Sequence, residues 1–287
     1  MSLPSFFVIG AAKAGTTSLH HYLDRHPQIQ MSANKEPRFF AGPENGIPYP
    51  PDRVSRLEEY ELLFDPAFEV RGEASTDYAA HPRREGAPKR IKELVPEAKF
   101  IYLVRDPIAR TISHFQMGVA LMGERRSLGD ALGDLSDHRS PYIASSLYGS
   151  QIERYLHHFP QERVLVIDQA DLLADRRSTL EQVFAFLEVD DSVEVPGLDD
   201  ELLSSKEWRT YSPRYVDLVD RFVVPSLRWI PQGVRRPLRR SVERVLWPPL
   251  EKPSLDEGLR TRLAELYSGE AQRLRALTGK EFPSWSV

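Results

Sequence analysis

Two short groups of residues have types and spacings that could hold a phosphate-bearing ligand. The first is Gly10-Ala11-Ala12-Lys13-Ala14-Gly15-Thr16-Thr17. It comes after the apolar run Phe6-Phe7-Val8-Ile9 and leads into a helical pattern with Leu19, Tyr22 and Leu23 on one face. A loop between a buried strand and a helix start turns several backbone N–H groups, and the positive end of the helix, toward one point. That is an anion site. Gly15 lets the backbone approach a phosphate closely, and Thr16 and Thr17 add hydroxyl donors. The glycine spacing is that of the Gly-x4-Gly-Lys-Ser/Thr loop of nucleoside triphosphate sites, but Thr16 stands where the lysine stands there. The lysine comes three residues earlier, as Lys13. The displaced cation points to a donor other than ordinary ATP.

The second group is Arg105-Asp106-Pro107, placed after the buried-strand pattern Phe100–Val104, with Ser113 in the next helical stretch. An arginine at the C-terminal end of a strand projects into the crevice where open α/β sheets bind ligands. Its guanidinium can hold a phosphate through two parallel hydrogen bonds, and a serine further along the helix can complete the site. The alternative for Arg105 is an ion pair at the strand end with Asp106 or another carboxylate.

These residues need a scaffold of alternating strands and helices, and the sequence supplies one. Further strands are expected at Ile29–Met31, 69–72 and 164–167, and helices at about 16–24, 88–94, 108–121, 148–157, 178–187 and 255–277. Residues 40–60, rich in Pro and Gly, read as a long surface loop suited to acceptor contacts. Tyr148, Tyr155 and Phe159 read as core. The alternation predicts one P-loop-like α/β domain over residues 1–287, three-layered, with a central, mainly parallel sheet flanked by helices.

Composition narrows the function. The 287 residues are 41% hydrophobic and 28% charged, enough for a sizeable core, and a formal net charge of −4 does not advertise nucleic-acid binding. With no cysteine, a disulfide scaffold, a thiolate metal site and a cysteine nucleophile are excluded. No secretory signal or membrane-spanning run is read, so a cytoplasmic enzyme is expected. Charge is uneven, however: residues 206–252 hold 11 basic and 5 acidic side chains. Within them Val234, Leu238, Val242, Val245 and Leu246 fall at helical spacing among arginines, a pattern that packs on the domain or touches an anionic membrane face.

The segment Phe7–Leu19 resembles the 5′-phosphosulfate loop of sulfotransferases that use 3′-phosphoadenosine 5′-phosphosulfate (PAPS), in the heparan-sulfate and bacterial branch. His26-Pro27 and Asn34-Lys35-Glu36-Pro37-Arg38-Phe39-Phe40 resemble the same branch. The likeness is strong over residues 5–40 and 99–115. It implies transfer of a sulfonyl group from PAPS to a hydroxyl of a glycan, glycolipid or other metabolite, with no metal required. It assigns Lys13, Ala14, Gly15, Thr16, Thr17 and Ser18 to the donor's 5′ end, and Arg105 and Ser113 to its 3′-phosphate. Lys13 would also meet the charge that develops on the leaving oxygen.

Glu36 matches the carboxylate thought to serve as base in that branch, and burial against Phe39-Phe40 would tune it. Pairing with Lys35 or Arg38 is its alternative. Lys206 and Arg209 fall where the family places a loop over the adenosine and 3′-phosphate. One departure is Ala74, in Gly72-Glu73-Ala74-Ser75-Thr76-Asp77-Tyr78, where the branch carries a lysine; Asp77 or His81 would have to take its part.

Two rival readings are a P-loop nucleotide-dependent kinase and a non-catalytic nucleotide- or membrane-binding module. The kinase would use Asp168, at the end of Val164-Leu165-Val166-Ile167, for magnesium. In the transferase reading Asp168 and Asp171 merely cap the structure on their C-terminal side.

Overall fold

The computed structural model describes residues 2–42, 53–198 and 253–287. Lys206, Arg209 and the whole basic stretch 203–252 lie outside the described residues, as do residues 43–52 of the expected acceptor loop.

Among the described residues five parallel strands form one sheet: β1 (Phe6–Gly10), β2 (Ile29–Met31), β3 (Val70–Ala74), β4 (Lys99–Val104) and β5 (Val164–Asp168). They lie in the order β2-β3-β1-β4-β5. Parallel strands covered on both faces need apolar residues on both sides, and Phe6 to Ile9 are all fully buried. Phe7, paired in register with Phe100, stacks on it with ring centroids 5.8 Å apart. Neighbouring β3 fits only because Gly72 has no side chain: a Cβ there would lie 2.1 Å from the Phe6 ring.

The α-helices among the described residues are α1 (Thr16–Leu23), α2 (Leu57–Glu61), α3 (Ala87–Leu94), α4 (Pro107–Leu121), α5 (Leu128–Leu132), α6 (Pro141–Ala144), α7 (Tyr148–Leu156), α8 (Gln169–Ala174), α9 (Arg176–Leu187) and α10 (Glu257–Thr278). The strands and long helices fall within two residues of their expected bounds. The short helices α2, α5, α6 and α8 were not expected. α4, α5, α6 and α10 enclose a second apolar cluster around Phe115, Leu132, Ile143 and Leu263.

One expectation is corrected. The stretch 40–60 is not simply a surface loop, because its ends are core: Phe40 is 2% exposed and Tyr60 0%, and α2 begins inside it. Phe40 meets Phe7, Tyr60 and Tyr78 edge-on, and Phe39 stacks on Tyr60 at 4.4 Å. Tyr148, Tyr155 and Phe159 are core as expected. No helix among the described residues is long and apolar enough to cross a membrane.

Candidate functional site

β1 and β4 lie side by side at the centre of the sheet, yet the chain leaves β1 toward β2 and leaves β4 toward β5. This reversal opens a crevice at their C-terminal ends, the position where open α/β sheets bind ligands. The loop after β1 is pinned there by Ala11 N, which donates to Leu103 O of β4 at 2.6 Å. Gly15, at φ 102°, caps α1 in the left-handed region that an L side chain strains to adopt. No side chain caps α1 among the described residues, and its first turn carries no acidic residue. The N–H groups of Thr16, Thr17 and Ser18 therefore face the crevice end of the helix without an intrahelical acceptor. Ala14 and Thr16 are buried, and Thr17 and Ser18 half-buried.

Lys13 also has positive φ, 73°. Burial first, then the charges of Arg105, Arg110 and Lys35, pull its ammonium down to about 8. The second anchor comes to the same place. Arg105 Nη1 donates to the backbone O of Lys13 at 3.3 Å, and Tyr148 OH fixes the arginine's own carbonyl at 2.9 Å. The alternative pairing with Asp106 is not what holds Arg105. Asp106 caps α4 by accepting from Ala109 N at 2.7 Å, and its other oxygen accepts from Ser286 N and Oγ. Ser113, 6% exposed, lies two turns into α4.

Glu36 is held by polar groups rather than by the expected apolar burial, since Phe39 and Phe40 are engaged in the aromatic cluster. Its Oε2 accepts from Thr76 N at 3.0 Å, and its Oε1 accepts from Thr76 Oγ1 at 3.1 Å. Both cations named as its alternative partners are in place, Lys35 Nζ at 3.2 Å and Arg38 Nε at 3.7 Å. Glu36 and Arg38 have φ of 62° and 54°, so with Lys13 three non-glycine residues of the site take a conformation that is rare elsewhere. Asp77 bridges Arg38 at 3.4 Å and Arg84 at 3.5 Å, and His81 N donates to Gln151 Oε1 at 3.0 Å. Asp77 therefore has structural partners; His81 is tied through its backbone, while its ring Nδ1 is buried without a hydrogen-bond partner among the described residues.

Behind Glu36 sits a carboxylate to which the sequence assigns no role. Glu73 is fully buried and accepts from Tyr60 OH, from Tyr78 OH at 2.7 Å and from Ser75 Oγ at 2.8 Å. Ser75 Oγ in turn accepts from Arg38 N at 3.1 Å, and Tyr78 OH from Phe40 N at 3.2 Å. The loop carrying Glu36 is thus tied to β3 through this hub. Burial pushes the Glu73 carboxyl up to about 7, against the three hydroxyls that pull it down. In the unfolded chain it loses its proton near 4.5. Between those two values the unfolded chain binds fewer protons, so stability falls as pH rises across the window. Glu73→Gln, which cannot ionise, should flatten that part of a plot of Tm against pH from 5 to 8. An unchanged slope in the variant would show that another group is responsible.

Asp168 caps α8 as expected, accepting from Ala170 N at 3.1 Å. Its other oxygen accepts from Trp285 Nε1 at 3.0 Å and Ser284 Oγ at 3.2 Å. The cap of α9 is Asp175, through Ser178 N at 3.0 Å, and not Asp171. Among the described residues no group of three or more His, Cys, Asp or Glu side chains could hold a metal ion.

Residues 4–192 match the model of the Sulfotransferase family. Over 207 residues the chain is 31% identical to the human "Bifunctional heparan sulfate N-deacetylase/N-sulfotransferase 3", covering 65% of this chain and 22% of that protein. Over 166 residues it is 32% identical to the "Membrane-associated sulfotransferase kil1" of Dictyostelium discoideum, covering 57% of this chain and 33% of that one. The chain therefore spans a third or less of the length of these two relatives. A solved sulfotransferase from Alicyclobacillus acidocaldarius superposes over 100% of both chains with a TM-score of 0.73 at 24% identity, a likeness of fold.

Proposed function

The chain belongs to the sulfotransferase family, and we propose that it transfers a sulfonyl group from PAPS to a hydroxyl of a glycan by in-line displacement. The observation that carries this reading is the contact of Arg105, just after β4, with the loop after β1: its Nη1 donates to the backbone O of Lys13 at 3.3 Å. One anchor lies at a helix N-terminus suited to a 5′-phosphate, and the other is a guanidinium suited to a second phosphate. Adenosine 3′,5′-bisphosphate (PAP), the product nucleotide, carries phosphates at both ends, whereas ATP carries none at the 3′ position.

When bound, PAPS supplies an activated sulfonyl group with a phosphate as leaving group. The first-turn N–H groups of α1 and the Thr16, Thr17 and Ser18 hydroxyls orient the 5′ end. Lys13 places its ammonium against the charge that develops on the bridging oxygen as the S–O bond breaks. Glu36, beside Thr76 and Lys35, takes the proton of the acceptor hydroxyl as that oxygen bonds to sulfur. Arg105 and Ser113 hold the 3′-phosphate. The glycan is supported by the name of the human relative above, and a hydroxyl on it by that of another human relative, "Heparan sulfate glucosamine 3-O-sulfotransferase 3B1".

The test is transfer of labelled sulfonyl from PAPS to a panel of glycans, with and without EDTA. Label on a glycan, undiminished by EDTA, is the expected result. Transfer of phosphate from ATP-magnesium, with no sulfonyl transfer, would replace this reading by the kinase.

A further inference from the structure

Between the two anchors helix α4 carries a further cation, Arg110, whose side chain is 0% exposed. A guanidinium cannot shed its charge by losing a proton, so burial leaves that charge in the interior. From Nη1 it donates to Ala12 O of the phosphate loop at 3.2 Å and to His114 Nδ1 at 3.0 Å. Nε donates to Ser146 Oγ, and Nη2 to Tyr142 O and, at 3.4 Å, to Thr111 Oγ1. Thr111 Oγ1 lies 2.8 Å from Tyr267 OH, which extends the network to α10. His114 is held neutral, since burial and then the charges of Arg110 and Lys13 keep it well below its ordinary value. A neutral ring leaves Nδ1 free to accept.

Every one of these partners is neutral. A buried charge is ordinarily matched by a countercharge, because taking it out of water is otherwise costly. Among the described residues no carboxylate bonds to Arg110, and the charged groups whose titration it perturbs include Lys13 and Arg105. Neutral side chains could have supplied the same hydrogen bonds without importing a charge. A permanent cation in this position makes sense if an anion is due to arrive. On α4, Arg110 stands three residues before Ser113, on the same helical face.

We propose that Arg110 is a donor-positioning residue, which splints the phosphate loop through Ala12 O and whose charge is balanced by the phosphates of the bound nucleotide. The inference rests on the PAPS reading. It adds to that reading a residue that never touches the donor and a counter-ion role for the donor itself.

The test uses the full chain as wild type, Arg110→Lys and Arg110→Met, titrated with PAP by calorimetry and melted with and without saturating PAP. Arg110→Met should weaken PAP binding by about 10- to 100-fold, and KM for PAPS should rise with it while kcat moves far less. Arg110→Lys, which keeps the charge and loses the fork, should fall between the two. The rise in Tm that PAP produces in the wild type should shrink in Arg110→Met. A purely structural arginine gives a different pattern: Arg110→Met melts lower by the same amount with and without PAP, and its folded fraction binds PAP with the wild-type Kd. That pattern overturns the assignment.

Should Arg110→Met fail to fold, His114→Phe removes the acceptor that aims Nη1 at Ala12. A PAP Kd raised about fivefold or more then supports the role, in line with the loss of one hydrogen bond to a charged group, and an unchanged Kd overturns it. Wild-type protein that binds no PAP would defeat the donor reading and this inference together. Wild type that binds PAP while the variants match it defeats this inference alone.

Discussion

Replacing Lys13 by methionine is expected to lower kcat for sulfonyl transfer by about 10²- to 10³-fold, the usual loss when one preorganised donor to a developing charge is removed. Methionine keeps much of the length and the apolar stem of the side chain and deletes the charge. The loop should survive, because Ala11 N to Leu103 O and the Gly15 cap do not involve the Lys13 side chain. The pH dependence belongs to the same prediction. Burial and three neighbouring cations leave the ammonium titrating at about 8. It is charged below that value and increasingly neutral above it, whereas a bound dianion would hold the proton on. PAP affinity should therefore weaken as pH rises, by roughly tenfold between pH 7 and 9, and Lys13→Met should lose that dependence. Calorimetric titration at pH 7, 8 and 9 reads it directly. A wild-type affinity flat across that range would mean that Lys13 does not face the phosphate.

The second large effect is at Glu36. Glu36→Gln should reduce kcat by about 10²- to 10⁴-fold, the range ascribed to a positioned general base. PAP binding should stay within about twofold, because the substitution preserves shape and the donor's anchors lie on other elements. Thr76 N and Oγ1 hold the two carboxylate oxygens, and glutamine can still accept from one of them. Separate measurement of kcat, KM for PAPS and PAP Kd distinguishes the base from a loop carboxylate that only neutralises Lys35 and Arg38. Unchanged turnover in Glu36→Gln would take Glu36 out of the chemistry and leave it that second role.

The sequence shows most clearly what depends on local spacing. The Gly10–Gly15 loop, the apolar runs of β1 and β4, and the long periodic helices are legible because their physics is contained within a dozen neighbouring residues. Arg105 at a strand end could be placed in the crevice from the parallel topology alone. Lys35 and Arg38 are legible in the sequence as neighbours of Glu36, but its partner Thr76 is not, because it lies forty residues away, brought near by the pairing of β3 beside β1. For the same reason residues 40–60 read as loop from their prolines and glycines, although Phe40 and Tyr60 end in one aromatic cluster.

Glu73 has Ser75 and Tyr78 close by in the sequence, but its complete burial and the approach of Tyr60 from α2 come only with folding. Arg110 did leave a signal, an arginine three residues before Ser113 on the same helical face. Its burial could be known only from the packing of α6, α7 and α10 around it. Short helices such as α5 and α6 carry too few turns to show a period, and tertiary contacts define them.

The decisive measurement compares the affinities of PAP and adenosine 5′-phosphate for the wild-type protein and for Arg105→Ala. These nucleotides differ only by the 3′-phosphate that Arg105 and Ser113 are assigned to hold. In the wild type PAP should bind about 10- to 100-fold more tightly than adenosine 5′-phosphate, as expected for a bidentate guanidinium–phosphate pair. In Arg105→Ala that preference should collapse, with the affinity for adenosine 5′-phosphate nearly unchanged. Equal affinities of the two nucleotides for the wild type would contradict the second anchor and leave only a 5′-phosphate loop.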